Sequence, residues 1–197
     1  MHERRFNPSR AHLLEDPERK KWLPADEVVT TLHLCEGESV VDIGAGTGYF
    51  AMPMASAVGE SGRVFAVDVA PQMLARLQIR LTESGITNVH CVEGEAAFTG
   101  LPPGCAGVVF MANVWHELDD PAAVLREARR LLQPGGRIAI LDWRPDAEPD
   151  HGPPVAHRIA LSATKASLEN AGLVVQSAGN VGRYSWLLVG RSGDSTT

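Results

Sequence analysis

The sequence has 197 residues, a length that fits one domain with a single buried core. Hydrophobic residues make up 44% of it and charged residues 21%, a balance that is typical of a globular protein and excludes a disordered chain. The formal net charge is -6 and the basic residues form no long run, so we expect no nucleic-acid partner.

The cysteines and the apolar runs indicate the compartment. Cys35, Cys91 and Cys105 are widely spaced and include no CxxC pair, which argues against both a disulfide framework and a structural zinc site. The first ten residues lack the apolar core of a signal peptide, and no run approaches the roughly 18 apolar residues of a membrane span. We therefore expect a cytoplasmic protein without a membrane span.

Short β-branched runs alternate with helical patterns, which predicts an α/β fold: a doubly wound, seven-stranded, mostly parallel sheet with helices on both faces. The predicted strands are 39–43, 63–67, 88–92, 107–111, 137–141, 173–177 and 184–189. Only residues 178–183 separate the last two strands, and so short a link predicts a hairpin and an antiparallel last strand.

The predicted helices are 48–58, 71–84, 121–132 and 154–170, with further helix-like stretches at 10–20 and 25–34. The clearest, 121–132, carries its apolar residues on one stripe, begins with Pro121 and stops before Pro134-Gly135-Gly136. We expect one domain over 1–197, in which 1–36 form a helical cover, 37–191 the core and 192–197 a flexible tail.

A glycine-rich loop follows the first strand in the segment Val40-Val41-Asp42-Ile43-Gly44-Ala45-Gly46-Thr47-Gly48. Alternating glycines let the backbone turn tightly and approach a ligand closely. Dinucleotide-binding enzymes favour GxGxxG here, and counting from Gly44 the third glycine of that motif would fall on Tyr49.

Two acidic residues follow the next strands of the predicted sheet. Asp68 closes the second strand, where a carboxylate can accept hydrogen bonds from both ribose hydroxyls of an adenosyl ligand; the alternative is an N-cap for the helix at 71–84. Glu95 follows the third strand, where it can accept a hydrogen bond from an adenine amino group; the alternative is a solvated side chain.

Together these motifs resemble the class I S-adenosylmethionine-dependent methyltransferases, over roughly residues 37–142. The matching segments are DxGxGxG at 42–48, the acidic strand end at Asp68, Gly94-Glu95-Ala96, and Leu132-Gln133-Pro134-Gly135-Gly136. Within that class the chain is most similar to the small-molecule branch that includes ubiquinone and menaquinone biosynthesis methyltransferases. The resemblance implies the strand order 3-2-1-4-5-7-6, S-adenosyl-L-methionine as the cofactor, and methyl transfer to a small-molecule substrate.

The resemblance also assigns cofactor-binding residues. Gly44, Ala45, Gly46 and Gly48 would line the methionine part, while Asp42 holds the loop. Asp68 would bind the ribose and Glu95 the exocyclic amine. The remaining cofactor contacts would come from Val69 and Ala96 on the two faces of adenine, and from Asn113 after the fourth strand.

His116 is the candidate catalytic residue, because the fourth strand ends beside the reactive methyl group in this class and a neutral imidazole can accept a proton. A histidine that caps the next helix or braces the loop is the alternative. Methyl transfer from a sulfonium is an in-line displacement, so alignment can supply much of the rate and a base is needed only if the acceptor holds its proton.

The proline-rich loop after the fifth strand is expected to cover the acceptor. The candidate substrate residues are Asp142, which closes the fifth strand, and His151, His157 and Arg158 further along, and Arg158 would suit an anionic acceptor. The spacing of the histidines matches no metal-ligand motif, so no metal is expected.

Two rival functions remain open at this stage. One is a catalytically silent regulatory or scaffold protein that binds the cofactor, and the other is a nicotinamide-dependent reductase. The sequence leaves the acceptor and the oligomeric state undetermined, and it is compatible with a homodimer.

Overall fold

A computed structural model describes residues 6–192, and its centre is a seven-stranded sheet in the order β3-β2-β1-β4-β5-β7-β6. The strands are β1 (Ser39–Ile43), β2 (Arg63–Asp68), β3 (Val89–Glu93), β4 (Ala106–Ala112), β5 (Leu132–Trp143), β6 (Leu173–Val181) and β7 (Ser185–Ser192). Only β7 runs antiparallel to its neighbours. The predicted fold class and strand order are confirmed.

Six α-helices accompany the strands in this part of the chain. They are α1 (Arg19–Trp22), α2 (Ala25–Thr31), α3 (Ala51–Val58), α4 (Pro71–Ser84), α5 (Pro121–Leu131) and α6 (Leu161–Asn170). Short 3₁₀ helices lie at Pro8–Leu14, Trp115–Glu117 and Val155–His157. No helix of residues 6–192 is long and apolar enough to cross a membrane.

The central strands are mostly apolar because helices cover both faces of the sheet. Successive residues of a strand point to opposite faces, so Val108 and Phe110 of β4 enter one core while Val109 and Met111 enter the other. All four side chains are fully buried. Packing on both faces therefore fixes where each strand ends, and with it the loops at its carboxyl end.

Several predicted boundaries are wrong, for local reasons. The predicted helix 154–170 is interrupted, because Arg158 and Ala160 have extended backbone angles between the 3₁₀ turn and α6. The predicted helix 48–58 starts only at Ala51, after the turns of the glycine loop. In the predicted helix 10–20 the chain instead leaves its 3₁₀ helix at Leu14 and re-enters a helix at Arg19.

Residues 6–23 lie against the carboxyl ends of the parallel strands. The Phe6 amide donates to Glu117 Oε2 at 3.1 Å, and Leu14 Cδ1 would be 3.4 Å from a Cβ added at Gly46. The Trp22 ring packs 5.4 Å from that of Trp143. Within the predicted cover, residues 1–5 lie outside the described residues, as do residues 193–197 of the predicted tail.

Candidate functional site

The glycine loop after β1 has a backbone that only glycine adopts readily. Gly44, Gly46 and Gly48 have φ of 75°, 55° and 84°, in the left-handed region. A Cβ added at Gly44 would lie 2.2 Å from Val114 Cγ2, and one at Gly48 would lie 2.2 Å from Leu77 Cδ1. The loop therefore packs against Val114, after β4, on one side and against α4 on the other, with no room for a side chain at Gly44 or Gly48.

Strand β2 holds this loop through hydrogen bonds. The amides of Gly44 and Ala45 both donate to the carbonyl of Val67, at 2.8 and 3.0 Å. The Gly46 amide donates to Asp68 Oδ2 at 2.8 Å, and Asp68 Oδ1 accepts from the Ala70 amide at 2.9 Å. Asp68 thus braces the loop and is not the N-cap of α4, which is Ala70 without a side-chain cap bond.

Asp42 lies beneath the loop with an unsatisfied carboxylate oxygen. Its side chain is 2% exposed, and Oδ2 has no hydrogen-bond partner within residues 6–192. Burial, and secondarily the charge of Asp68, raise the pKa of Asp42 to about 8. A cation in contact with this carboxylate would restore its charged form.

Two further buried oxygens near the loop lack partners in the described part of the chain: Thr47 Oγ1 and Asn113 Oδ1. Asn113 follows β4 with φ of 59°, and its amide donates to the Leu141 carbonyl at 2.8 Å. Unsatisfied buried oxygens are uncommon in native proteins, and one explanation is a ligand that supplies the missing donors. Because β1 and β4 are neighbouring strands, these oxygens lie in one region at the carboxyl ends of the strands.

The predicted adenine-binding residues lie after β2 and β3 and are more open. Val69 is 48% exposed and Glu95 is exposed, while Ala96 is half-buried. Glu95 and Phe98 form an isolated backbone bridge, which leaves Phe98 74% exposed. No sequence pattern pointed to Phe98, since an isolated aromatic residue in a loop follows no periodicity.

His116 is 5% exposed and is held by Asp142 from the end of β5. Asp142 Oδ1 lies 2.8 Å from His116 Nδ1, and Asp142 Oδ2 accepts from the His116 amide at 2.9 Å. His116 Nε2 lies 3.7 Å from Glu117 Oε1. Asp142, His116 and Glu117 therefore form a chain of three ionisable groups.

The pKa values of His116 and Glu117 depend on burial and on the charged groups beside them. Burial alone lowers the pKa of His116, but the hydrogen bond and charge of Asp142, with the charge of Glu117, raise it overall. Burial raises the pKa of Glu117 to about 7, against the opposing effects of the Phe6 amide and His116. Burial likewise raises the pKa of Asp68.

The predicted substrate residues occupy three different environments. Asp142 is fully buried beneath His116, so it positions the imidazole and is not placed to contact an acceptor. His151 is exposed and its ring lies 5.1 Å from the rings of Trp22 and Tyr184. His157 is half-buried.

The expectation that Arg158 faces an anionic acceptor is wrong for this structure. Arg158 is 5% exposed, because its guanidinium turns inward to hold the loop after β5. It donates hydrogen bonds to the carbonyls of Arg144, Ala147, Glu148, His151 and Pro153.

Sequence reasoning also missed Glu117, Tyr49 and Arg19. Glu117 directly follows His116, so its position next to the candidate base could have revealed it. Tyr49 directly follows the last loop glycine, and the guanidinium of Arg19 lies 4.0 Å from its ring centroid. Across residues 6–192, no three histidine, cysteine or acidic side chains gather as they would around a metal ion.

Comparisons with known proteins identify the family of this chain. Residues 41–140 match the model of a family described as a methyltransferase domain. The chain is 30% identical over 122 residues to demethylmenaquinone methyltransferase of Listeria monocytogenes, covering 62% of this chain and 51% of that protein. It is 32% identical over 108 residues to the ubiquinone/menaquinone biosynthesis C-methyltransferase UbiE of Vibrio vulnificus, covering 54% and 42%.

The chain spans about half the length of the curated relatives it matches. A solved structure of a SAM-dependent methyltransferase from Aquifex aeolicus superposes with a TM-score of 0.91 at 31% identity, covering 96% of this chain and 100% of that one. The family match, the glycine loop and the strand order agree: the chain belongs to the methyltransferase domain family, among the class I S-adenosylmethionine-dependent methyltransferases.

Proposed function

We propose that this protein transfers the methyl group of S-adenosylmethionine to a nucleophilic atom of a small molecule, with His116 as the base. The observation that carries the proposal is the buried Asp142–His116 pair. His116 follows β4, as Asn113 does, and β4 lies between β5, which carries Asp142, and β1, which carries Asp42. The names of the matched relatives support a small acceptor, since they act in quinone biosynthesis.

The charge of the site favours a cationic ligand over an anionic one. Burial raises the pKa values of Asp42, Asp68 and Glu117, so each carboxylate gains from a nearby positive charge. A sulfonium with an ammonium group supplies such charge, whereas the negatively charged pyrophosphate of a nicotinamide dinucleotide supplies none. The electrostatics therefore support S-adenosylmethionine against the reductase alternative.

In this proposal each part of the site binds one part of the cofactor. Asp42, Thr47 and Asn113 offer their unsatisfied oxygens to donors of the methionine part, and Gly44, Ala45, Gly46 and Gly48 form the loop beside it. Asp68 accepts hydrogen bonds from the ribose through the remaining lone pairs of its carboxylate. Adenine would be bound by Val69 and Ala96 on its faces and by Glu95 at its amino group.

When bound, the cofactor supplies a methyl group already activated by its positively charged sulfur. Because Asp142 accepts from Nδ1 of His116, the neutral imidazole has its free lone pair on Nε2. His116 Nε2 would accept the proton that the acceptor atom gives up, and the electron pair of the broken methyl–sulfur bond would stay on the sulfur of the cofactor. Glu117, 3.7 Å away, then stabilises the imidazolium or accepts its proton.

The acceptor would lie between the N-terminal segment and the loop after β5. Trp22, Trp143, His151 and Tyr184 pack together and join these two parts of the chain. His151 and His157 remain proposed acceptor contacts on that loop. A homodimer remains a proposal that rests on no contact in this structure.

Calorimetry and an activity assay test the proposal. We expect wild type to bind S-adenosylhomocysteine and not NAD, and to methylate members of a panel of phenols and quinols. His116→Gln should keep ligand affinity while kcat falls by about 10²–10⁴-fold, and His90→Gln, an exposed histidine on β3, should change neither. Binding of NAD without S-adenosylhomocysteine would contradict the proposal, and ligand binding without transfer would favour the silent scaffold.

A further inference from the structure

The N-terminal segment carries a buried cation that the proposed chemistry does not use. Arg19 is 6% exposed, and its Nε has no hydrogen-bond partner anywhere in residues 6–192. Among those residues its guanidinium makes one hydrogen bond, from Nη1 to the Leu14 carbonyl at 3.2 Å. Burial lowers the pKa of Arg19 to about 10, since no described carboxylate pairs with it.

An unpaired buried charge is costly, and proteins normally pair such a group or use it. The aromatic rings of Tyr49 and Trp22, with centroids 4.0 and 6.0 Å from the guanidinium carbon, offset this cost only in part. A carboxylate is the group that a guanidinium pairs with best, through two parallel hydrogen bonds.

Arg19 also lies beside the glycine loop. Tyr49, on which it stacks, directly follows Gly48, and Leu14, to which it is bonded, lies over Gly46. Thr47, between those two glycines, has the unsatisfied hydroxyl noted above. A ligand bound in the glycine loop would have one end close to the Arg19 guanidinium.

We propose that Arg19 binds the α-carboxylate of the amino-acid part of the ligand held in the glycine loop. The inference rests on the proposed function and adds a residue outside the region that matches the family model, which begins at residue 41. Arg19 belongs to the segment that covers the strand ends, so binding of the carboxylate also holds that segment in place.

Calorimetry with two ligands tests the contact directly. One ligand is S-adenosylhomocysteine, and the other is its decarboxylated analogue, in which a hydrogen replaces the carboxylate. We expect Arg19→Met to weaken binding of S-adenosylhomocysteine by about 10- to 100-fold, the loss typical of a hydrogen bond to a charged group. Binding of the decarboxylated analogue should change by less than about twofold.

Two further variants control for charge and for folding. Lys20→Met removes the same charge from an exposed neighbour and should leave both affinities unchanged. Arg19→Lys keeps the charge without the planar fork, and it should bind S-adenosylhomocysteine more weakly than wild type does. This variant carries the test if Arg19→Met does not fold.

Equal weakening of both ligands by the Arg19 variants would overturn the inference, because Arg19 would then act only by packing. An unchanged affinity for S-adenosylhomocysteine would overturn it as well. Failure of wild type to bind either ligand is a separate result, read from wild type alone, and it would contradict the proposed function itself.

Discussion

Asp142 determines the chemistry of the histidine beside it. It is fully buried and accepts three hydrogen bonds, from Nδ1 and the amide of His116 and from the amide of Trp143. Burial would otherwise lower the pKa of His116, and the hydrogen bond and charge of Asp142 reverse that effect. The basicity of His116 therefore depends on a residue that touches no ligand in our proposal.

We expect Asp142→Asn to lower the pKa of His116 below its ordinary value of about 6.5. The amide removes the negative charge while burial continues to disfavour the imidazolium. Titration of the imidazole protons by NMR measures the shift, and the acid limb of the kcat profile should move to lower pH with it. An unchanged His116 titration would contradict this prediction, and Asp146→Asn, on an exposed ion pair with Arg144, is the control.

The same pair has a defined effect on stability. The pKa of His116 is higher in the folded protein than in the unfolded chain, so the pair's extra stabilisation is complete below about pH 6.5. It is lost as the pH rises through the folded pKa. Comparison of wild type with Asp142→Asn at acid and alkaline pH should show the larger difference in unfolding free energy on the acid side.

At the scale of elements, one buried side chain satisfies many backbone carbonyls of the loop between β5 and α6. Arg158 donates to five backbone carbonyls of this loop, between Arg144 and Pro153. A proline-rich segment has few amides with which to satisfy its own carbonyls, and a guanidinium has five N–H donors. The loop is therefore built around Arg158 and not around secondary structure.

Arg158→Met should destabilise the protein by about 2–4 kcal/mol, because buried carbonyls lose their charged donor. Urea denaturation measures the loss, and hydrogen exchange should show faster exchange in residues 144–157 than elsewhere. Arg183→Met is the matched control, since the Arg183–Glu148 pair is exposed and should contribute less than about 1 kcal/mol. Equal effects of the two variants would show that Arg158 does not organise the loop.

At the scale of the whole molecule, the proposed cofactor site accumulates acidic groups whose pKa values are raised by burial. Asp42, Asp68 and Glu117 keep protons in the folded protein at a pH where the unfolded chain has lost them. Stability therefore falls as pH rises from their ordinary values, near 4, through their folded values. Glu127 acts oppositely: hydrogen bonds that it accepts from Arg130 lower its pKa from 4.5 to about 2, so its stabilisation is complete above pH 4.5 and is lost as the pH falls through 2.

We expect the free energy of unfolding without ligand to decrease from pH 5 to pH 8. Asp42→Asn should flatten that decrease and make the protein more stable at pH 8 than wild type, because it removes a charge that burial disfavours. The same variant should lose affinity for S-adenosylmethionine. Urea denaturation at three pH values checks the slope, and a wild-type stability that rises from pH 5 to pH 8 would contradict the prediction.

Local patterns in the sequence were sufficient for the sheet and for the glycine loop. Alternation of strand and helix predicted seven strands, and the short link before β7 predicted its antiparallel direction. The GxGxG spacing predicted a tight turn, and Gly44, Gly46 and Gly48 have the left-handed angles that glycine allows. Such features depend on neighbouring residues, so a single sequence contains them.

The tertiary structure alone decided what the polar side chains of the site contact. Asp142 and His116 are 26 residues apart, and neither spacing nor residue type indicated that one would orient the other. The Arg158 guanidinium points inward because loop carbonyls accept its hydrogen bonds. Arg19 is buried because its segment packs over Tyr49. Burial and pairing set the charge of these groups, and both arise only when distant parts of the chain are brought together.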